Sequence, residues 1–390
     1  MPNITSIGTY LPIWGDTAHR EPGHDEDAIT MAVEAGRAAL GSGASVESVV
    51  LVTRDLPLLE SSNAAVLLAG LDLDPELEVT ERLGGAPATL DALSSARSRT
   101  LVIGVDLEPA GAAAVLTADR GLNIHTSARV SRSLPVRTRN AGGTVHDYGD
   151  PRLLFQRGLV ASLAASWSDT PTVVAGVNGR HVAGLAEVDA TLPTVGASSG
   201  LFALAYMAEH ELSGTLVAVE QASLSGVAVA GGRVAVERRE QSARPKSDEP
   251  VPPGDQLRIS LAAYERAFEA KVRWEAGRFA DSDDLDFPPR YHVAADGALR
   301  TDYELVPLPR TGVVYSEATV HVPVPGLSSP YSLVLVELDG VGVRALVKVT
   351  GAHVGLVGIG DRGRLVLRRL AVRSGVPDYG YAFEPEGAVA

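Results

Sequence analysis

The stretch Gly85–Leu93, GAPATLDAL, decides the fold because the chain uses it twice. Gly196–Leu204, GASSGLFAL, repeats its Gly, Ala, Leu, Ala and Leu at the same spacing. A buried-strand pattern follows each one: TLVIGVD from Thr100 and TLVAVEQ from Thr215. Glycine turn, helix and strand therefore recur in one order. Alanine-rich helices match by chance, but three features in the same order favour an internal duplication. Two such halves predict sheets and helices packed in layers, a duplicated α/β sandwich.

The flanking sequence agrees. Residues 3–13 alternate apolar and polar and predict a strand. In HDEDAITMAVEAGRAALGSG, Ala28, Ile29, Ala32, Val33, Gly36, Ala39 and Leu40 follow helical spacing, with Asp25 or Asp27 as cap and Gly41 and Gly43 as terminators. VESVVLVTRD then predicts a buried strand and SSNAAVLLAGL a second helix. The alternation continues to about residue 238, which gives a first domain over 1–239 with halves at about 1–120 and 121–239. Glu240–Gln256, EQSARPKSDEPVPPGDQ, is Pro-rich and aperiodic and predicts a linker. A helix over LRISLAAYERAFEAKVRWEAGRF and a ribbon-like stretch fill 257–311. From 312 to 390, GVVYSEATVHVPV, YSLVLVELDG, VRALVKVTG and RGRLVLRRLAV predict a small all-β barrel.

Bulk composition narrows the function classes. The 390 residues carry a net charge of −14, which opposes a surface that tracks phosphates, so no nucleic-acid partner is expected. Aromatic residues make up only 5%, too few for base-stacking platforms. There is no cysteine, hence no disulfide, thiolate metal site or thiol nucleophile. No stretch offers the ~18 continuous apolar residues of a membrane span. The opening MPNITSIGTYLPIWGD lacks a basic start and a signal-type apolar run, so a cytoplasmic location is expected.

Longer motifs carry a resemblance. HDEDAITMAVEAGRAAL with VESVVLVT, TLVIGVDLEPAGAAAVL and LPTVGASSGLFALAYMAE resemble the thiolase superfamily, in its 3-hydroxy-3-methylglutaryl-CoA synthase branch. FPPR, GVVYSEATVH, PYSLVLVELDG and YGYAFEPEG resemble the zinc-ribbon and OB-fold proteins that accompany thiolase-like enzymes. The resemblance implies a duplicated thiolase-like sandwich followed by an OB-fold barrel, with coenzyme A or an acyl-CoA as ligand. It also implies pairing, either as a homodimer or with a thiolase-like subunit.

Condensing enzymes of that superfamily place a cysteine at a helix amino terminus, where the helix dipole and free N–H groups stabilise a thiolate and then an oxyanion. The resemblance puts that cysteine at Leu83, the family's asparagine at Thr194, and its histidine near Val177, beside Asn178. Leucine is neither nucleophile nor donor, so condensation through a cysteinyl thioester is excluded. The turns Gly84–Gly85 and Gly196–Ser198, with Asn178, remain as candidate cleft contacts to a ligand oxygen. Ser198 and Ser199 read as helix caps rather than nucleophiles. Tyr148, His181 and Thr194 are the candidates for acid–base chemistry without a thiol. Two have a plainer reading: Tyr148 packs a Pro- and Gly-containing loop, and His181 faces solvent or an interface.

In the ribbon, the resemblance would put zinc ligands at Phe279, Ser282, Val293 and Asp296. None of these forms a structural zinc set, so a metal-free ribbon is expected. Finally, GDRGRLVLRRLAVRSG gathers Arg362, Arg364, Arg368, Arg369 and Arg373 in an acidic chain. These predict a solvated strand face, a patch for CoA phosphates centred on Arg364 and Arg368, or an acidic partner surface. Arg137 and Arg139, in VRTRN, are a weaker patch of the same kind. Two functions fit. One is an acyl-CoA-binding, non-condensing accessory or scaffold component of a carbon–carbon bond-forming or -cleaving system. The other is a synthase-like or retro-aldolase enzyme working by acid–base chemistry.

Overall fold

The computed structural model describes residues 3–41, 43–134, 136–139, 144–148, 150–167, 169–246, 269–280, 282–294, 296–322, 327–373 and 375–387. They form two compact units. The first comprises 1–22, 31–64 and 75–244; the second joins 245–390 to two short N-terminal stretches, 23–30 and 65–74.

The first unit is organised by one mixed ten-stranded sheet. In chain order its main elements are β1 (Asn3–Leu11), α1 (Ala28–Leu40), β2 (Ser48–Thr53), α2 (Ala64–Leu71), β3 (Glu78–Leu83), α3 (Ala86–Ser95), β4 (Thr100–Leu107), β5 (Ala110–Ala118), β6 (Leu122–Val130), α4 (Ala161–Ser166), β7 (Val173–Ala175), α5 (Ser199–Glu209), β8 (Gly214–Glu220), β9 (Ser223–Ala230) and β10 (Ala235–Glu240). The first residues of α1 and most of α2 belong to the second unit. Asp27, not Asp25, caps α1: its Oδ1 accepts from the Ile29 and Thr30 N–H groups at 3.0 and 3.1 Å.

The duplication is visible in the strand order. In the first half the order is β3-β2-β4-β5-β1, and in the second it is β7-β8-β9-β6. β2 and β4 run parallel, as do β7 and β8. Each parallel pair continues through two antiparallel ones, β4–β5–β1 and β8–β9–β6. α3 precedes β4 as α5 precedes β8. A short pairing of Asn3 and Ile4 with Asn123 and Leu122 joins the halves into one sheet.

Period-two alternation divides each strand between two layers. Leu216 and Ala218 of β8 pack into the core that holds Leu90 and Leu93 of α3 and Leu201, Phe202 and Leu204 of α5. Val217 and Val219 point the other way, onto Leu163 of α4. The many alanines let helices sit close. At Gly8 of β1 an added Cβ would come within 2.3 Å of the Ala35 carbonyl oxygen of α1, and at Gly104 of β4 within 2.5 Å of that of Ala197. The layered α/β class expected from the repeat is the one observed.

The second unit contains a five-stranded antiparallel sheet of β11 (Thr311–Val320), β12 (Tyr331–Leu338), β13 (Arg344–Lys348), β14 (Arg362–Arg373) and β15 (Val376–Pro385), in the order β13-β12-β11-β14-β15. A parallel bridge between Val349 and Phe383 joins the two ends, which makes a small barrel. The expected linker lies largely outside the described residues, as does most of the helix expected from 257. That helix does not run to Phe279. Residues 269–273 are helical, Trp274 turns to a positive φ of 63°, and Glu275–Arg278 pairs as a strand with Leu285–Asp286 and Glu304–Pro307. Trp274 is the pivot: its ring N–H donates to the Pro309 carbonyl at 2.9 Å, and its ring meets Phe287 and Tyr381.

The ribbon positions hold an aromatic cluster. Phe279 is buried with its ring 4.0 Å from that of His292 and 5.7 Å from that of Tyr303. Val293 is exposed, and Asp296 accepts from the Ala298 N–H and pairs with Arg300. These residues do not fit zinc: a phenyl ring fills the interior and a valine cannot ligate. Among the described residues no helix is long and apolar enough to cross a membrane.

Candidate functional site

Both repeated helices begin at a glycine turn, and a carboxylate of this chain sits on each turn. The carboxylates come from the repeated strands themselves. Asp106 lies near the end of β4, and Glu220 ends β8. Each serves the helix of the other half.

At α5 the arrangement is buried and complete. Asp106 Oδ1 accepts from the Ala197 N–H at 2.7 Å, and Oδ2 accepts from the Ser198 N–H at 2.9 Å. The Ser198 hydroxyl adds a third bond, at 2.6 Å, and lies 2.8 Å from the Thr194 hydroxyl. Free N–H groups and the positive end of the helix dipole favour an anion at this place. Burial raises the pKa of the Asp106 carboxyl, while the bonds from Ser198 and Ala197 and the charge of Arg54 act against that rise. Gly196 makes the approach possible, since an added Cβ would lie 1.9 Å from Asp106 Oδ1.

At α3 the arrangement is more open. Glu220 Oε2 accepts from the Gly85 N–H at 3.1 Å, and its Oε1 pairs with Arg54. The Arg54 and Glu220 side chains are 39% and 27% exposed. Arg139 holds the neighbourhood by donating to the Arg54 carbonyl at 3.0 Å and pairing with Asp55 at 2.9 Å. Gly85 has φ −108° and ψ −153°, a backbone open to any residue. A Cβ would lie 2.4 Å from Arg54 Nη2 and 2.7 Å from Glu220 Oε2, the outer ends of two partly exposed side chains that would have to move aside.

The residues singled out in the sequence fall in different places. Thr194 and Ser198 join the buried Asp106 cluster, and Gly85 and Gly196 are the two turns. Leu83 is the last residue of β3, 62% exposed, ahead of the helix end proper. Gly84 sits against Ala88. Asn178 caps a short 3-10 turn, Gly179–His181, by accepting from the Arg180 N–H. His181 packs beside Phe155, with ring centroids 5.9 Å apart. Tyr148 is 73% exposed, its N–H bonded to the Val136 carbonyl. The three acid–base candidates thus occupy three different environments. Glu220, Asp106 and Arg54 escaped the sequence reading, although both acids stand in the quoted strands.

The arginine run is spent on carboxylates of the second unit. Arg368 is 1% exposed, 3.6 Å from Glu26 and 3.5 Å from Glu384, and it donates to the Leu367 carbonyl. Arg364 pairs with Glu384, Arg362 with Asp339 and Arg373 with Asp378. Arg369 lies 3.9 Å from Asp27, and its N–H donates to the Asp25 carbonyl. Of the two arginines expected to meet CoA phosphates, Arg368 is buried and Arg364, paired with Glu384, keeps its side chain 31% exposed. The carboxylates that meet these arginines are Glu26 and Asp27 of the segment at 23–30 and Asp339, Asp378 and Glu384 of the barrel. Among the described residues no group of three or more His, Cys, Asp or Glu could hold a metal ion.

Residues 305–368 match the family model of the ChsH2 C-terminal OB-fold domain. No curated protein matches the chain. The solved structures similar to parts of it include the following three. One is 3-oxoacyl-[acyl-carrier-protein] synthase III from Aquifex aeolicus, at 16% identity over 59% of this chain and 100% of that one, with a TM-score of 0.47. A second is OleA of Xanthomonas campestris with bound lauric acid and lauroyl-CoA, at 14% over 58% and 98%, with a TM-score of 0.46. The third is a chain of an Ltp2-ChsH2(DUF35) aldolase, at 27% over 32% and 94%, with a TM-score of 0.27.

Proposed function

We propose that this protein is an acyl-CoA-binding, thiolase-like subunit that has given up condensation and acts as an accessory or scaffold component of a carbon–carbon bond-forming or -cleaving acyl-CoA system. One observation carries the reading: Leu83 stands where the resemblance puts the nucleophile, and the turn that follows it into α3 has the Glu220 carboxylate on the Gly85 N–H. An oxyanion site works by offering donors to developing negative charge. A donor already bonded to a carboxylate has nothing to offer. The motif resemblance to the 3-hydroxy-3-methylglutaryl-CoA synthase branch supports the choice of acyl-CoA, and the OB-fold match at 305–368 supports a docking role beside a thiolase-like subunit or a second copy. A cytoplasmic location and independence from nucleic acid belong to the same proposal, in keeping with a net charge of −14.

The test is calorimetric titration of acetyl-CoA and acetoacetyl-CoA, with a carbon–carbon cleavage assay on the same protein. Binding without turnover is the expected result. Turnover that falls with Tyr148→Phe or His181→Ala would replace this reading with the acid–base enzyme. Absence of binding at millimolar ligand would remove the acyl-CoA role for these substrates in the isolated chain.

A further inference from the structure

We propose that Glu220 is a built-in anion that silences the amino end of α3, so the loss of condensing chemistry is encoded twice: once by the missing thiol, once by a carboxylate on the N–H at the helix's glycine turn. The inference deepens the non-condensing reading and rests on it.

The geometry points to this at Gly85. Its backbone is ordinary for an L-residue, yet a side chain there would run into Arg54 Nη2 and Glu220 Oε2. The space beside Gly85 is held by the ends of Arg54 and Glu220 together, and Glu220 arrives from a strand 135 residues later. The same device recurs at α5, where Asp106 fills the volume beside Gly196 and takes the N–H groups of Ala197 and Ser198. Two glycine turns each matched to a carboxylate from the opposite half make a repeated arrangement. A carboxylate beside a helix end has a definite chemical effect. It cancels the positive potential that lowers a thiol's pKa, and it repels the thiolate itself. Arg54 pairs with Glu220 in a partly exposed ion pair; with Glu220 gone, its charge would act on whatever stands at residue 85.

The chain has no cysteine, so an introduced thiol can be followed alone by its rate of iodoacetamide alkylation against pH. Gly85→Cys is compared with Gly85→Cys/Glu220→Ala. In the single variant the thiol is expected to titrate at or above the ordinary value of about 8.5. In the double variant it is expected to titrate at least about one unit lower, giving roughly ten-fold faster alkylation at pH 7. Should Gly85→Cys fail to fold, Ala88→Cys in the first turn of α3 repeats the comparison with the turn intact, and a roughly three-fold gain on adding Glu220→Ala is expected there. Identical pH profiles with and without Glu220, at whichever position folds, overturn the proposal. No CoA is present in this experiment, so its failure leaves the acyl-CoA titration to be judged separately.

Discussion

The amino ends of α3 and α5 are built from the same parts and differ in how far water reaches them. At α5, Asp106 is enclosed and meets two N–H groups and a hydroxyl. At α3, Glu220 meets one N–H and a partly exposed arginine. The difference teaches that one device can be a keystone in one place and a clasp in another, because a carboxylate's partners matter most where water cannot replace them.

The comparison can be broken most directly at the buried end. Asp106→Ala strands the Ala197 and Ser198 N–H groups, and a loss of about 3 kcal/mol in urea unfolding is expected. A loss below about 1 kcal/mol would mean that water enters the turn and that α5 has no keystone. Gly196→Ala drives a methyl into Asp106 and is expected to cost about 1–3 kcal/mol by the same measurement. The carboxyl's titration sharpens the contrast. Burial sets the Asp106 pKa above its unfolded value, so its contribution is fully present below about pH 4 and lost as pH rises through the native value. Asp106→Asn cannot titrate, so the stability gap between wild type and this variant should be widest near pH 4 and narrow towards pH 7. A gap that widens with pH would show that hydrogen bonding outweighs burial. The smallest effect is expected at Glu220→Ala, about 0.2–1 kcal/mol and weakened by salt, since the pair it breaks is partly solvated. A loss as large as that of Asp106→Ala would erase the distinction between the two ends.

Much of this was legible in the sequence, for reasons that residues make plain. GAPATLDAL and GASSGLFAL gave away the duplication because buried faces of helices tolerate few substitutions in size, and the strand order repeats accordingly. The four barrel motifs announced the C-terminal sheet through period-two alternation. The caps were hidden because capping residues are sought within a few positions of a helix end. Asp106 and Ser198 lie 92 residues apart, and no local pattern links them. Arg368 misled for a related reason. A run of arginines reads as a surface, yet Arg368 points inward to meet Glu26 and Glu384. The helix ending at 273 was over-extended because apolar spacing alone does not reveal that Trp274 leaves the helical region to bury its ring.

The wiring of the two ends also sets a schedule for the newborn chain. The carboxylate that completes α3 is made 135 residues after the glycine it serves. At roughly 5–20 residues per second, a ribosome needs on the order of 7–27 s to deliver it. During that interval the first half waits with an unfinished helix end and an apolar face that its sister helix has yet to cover.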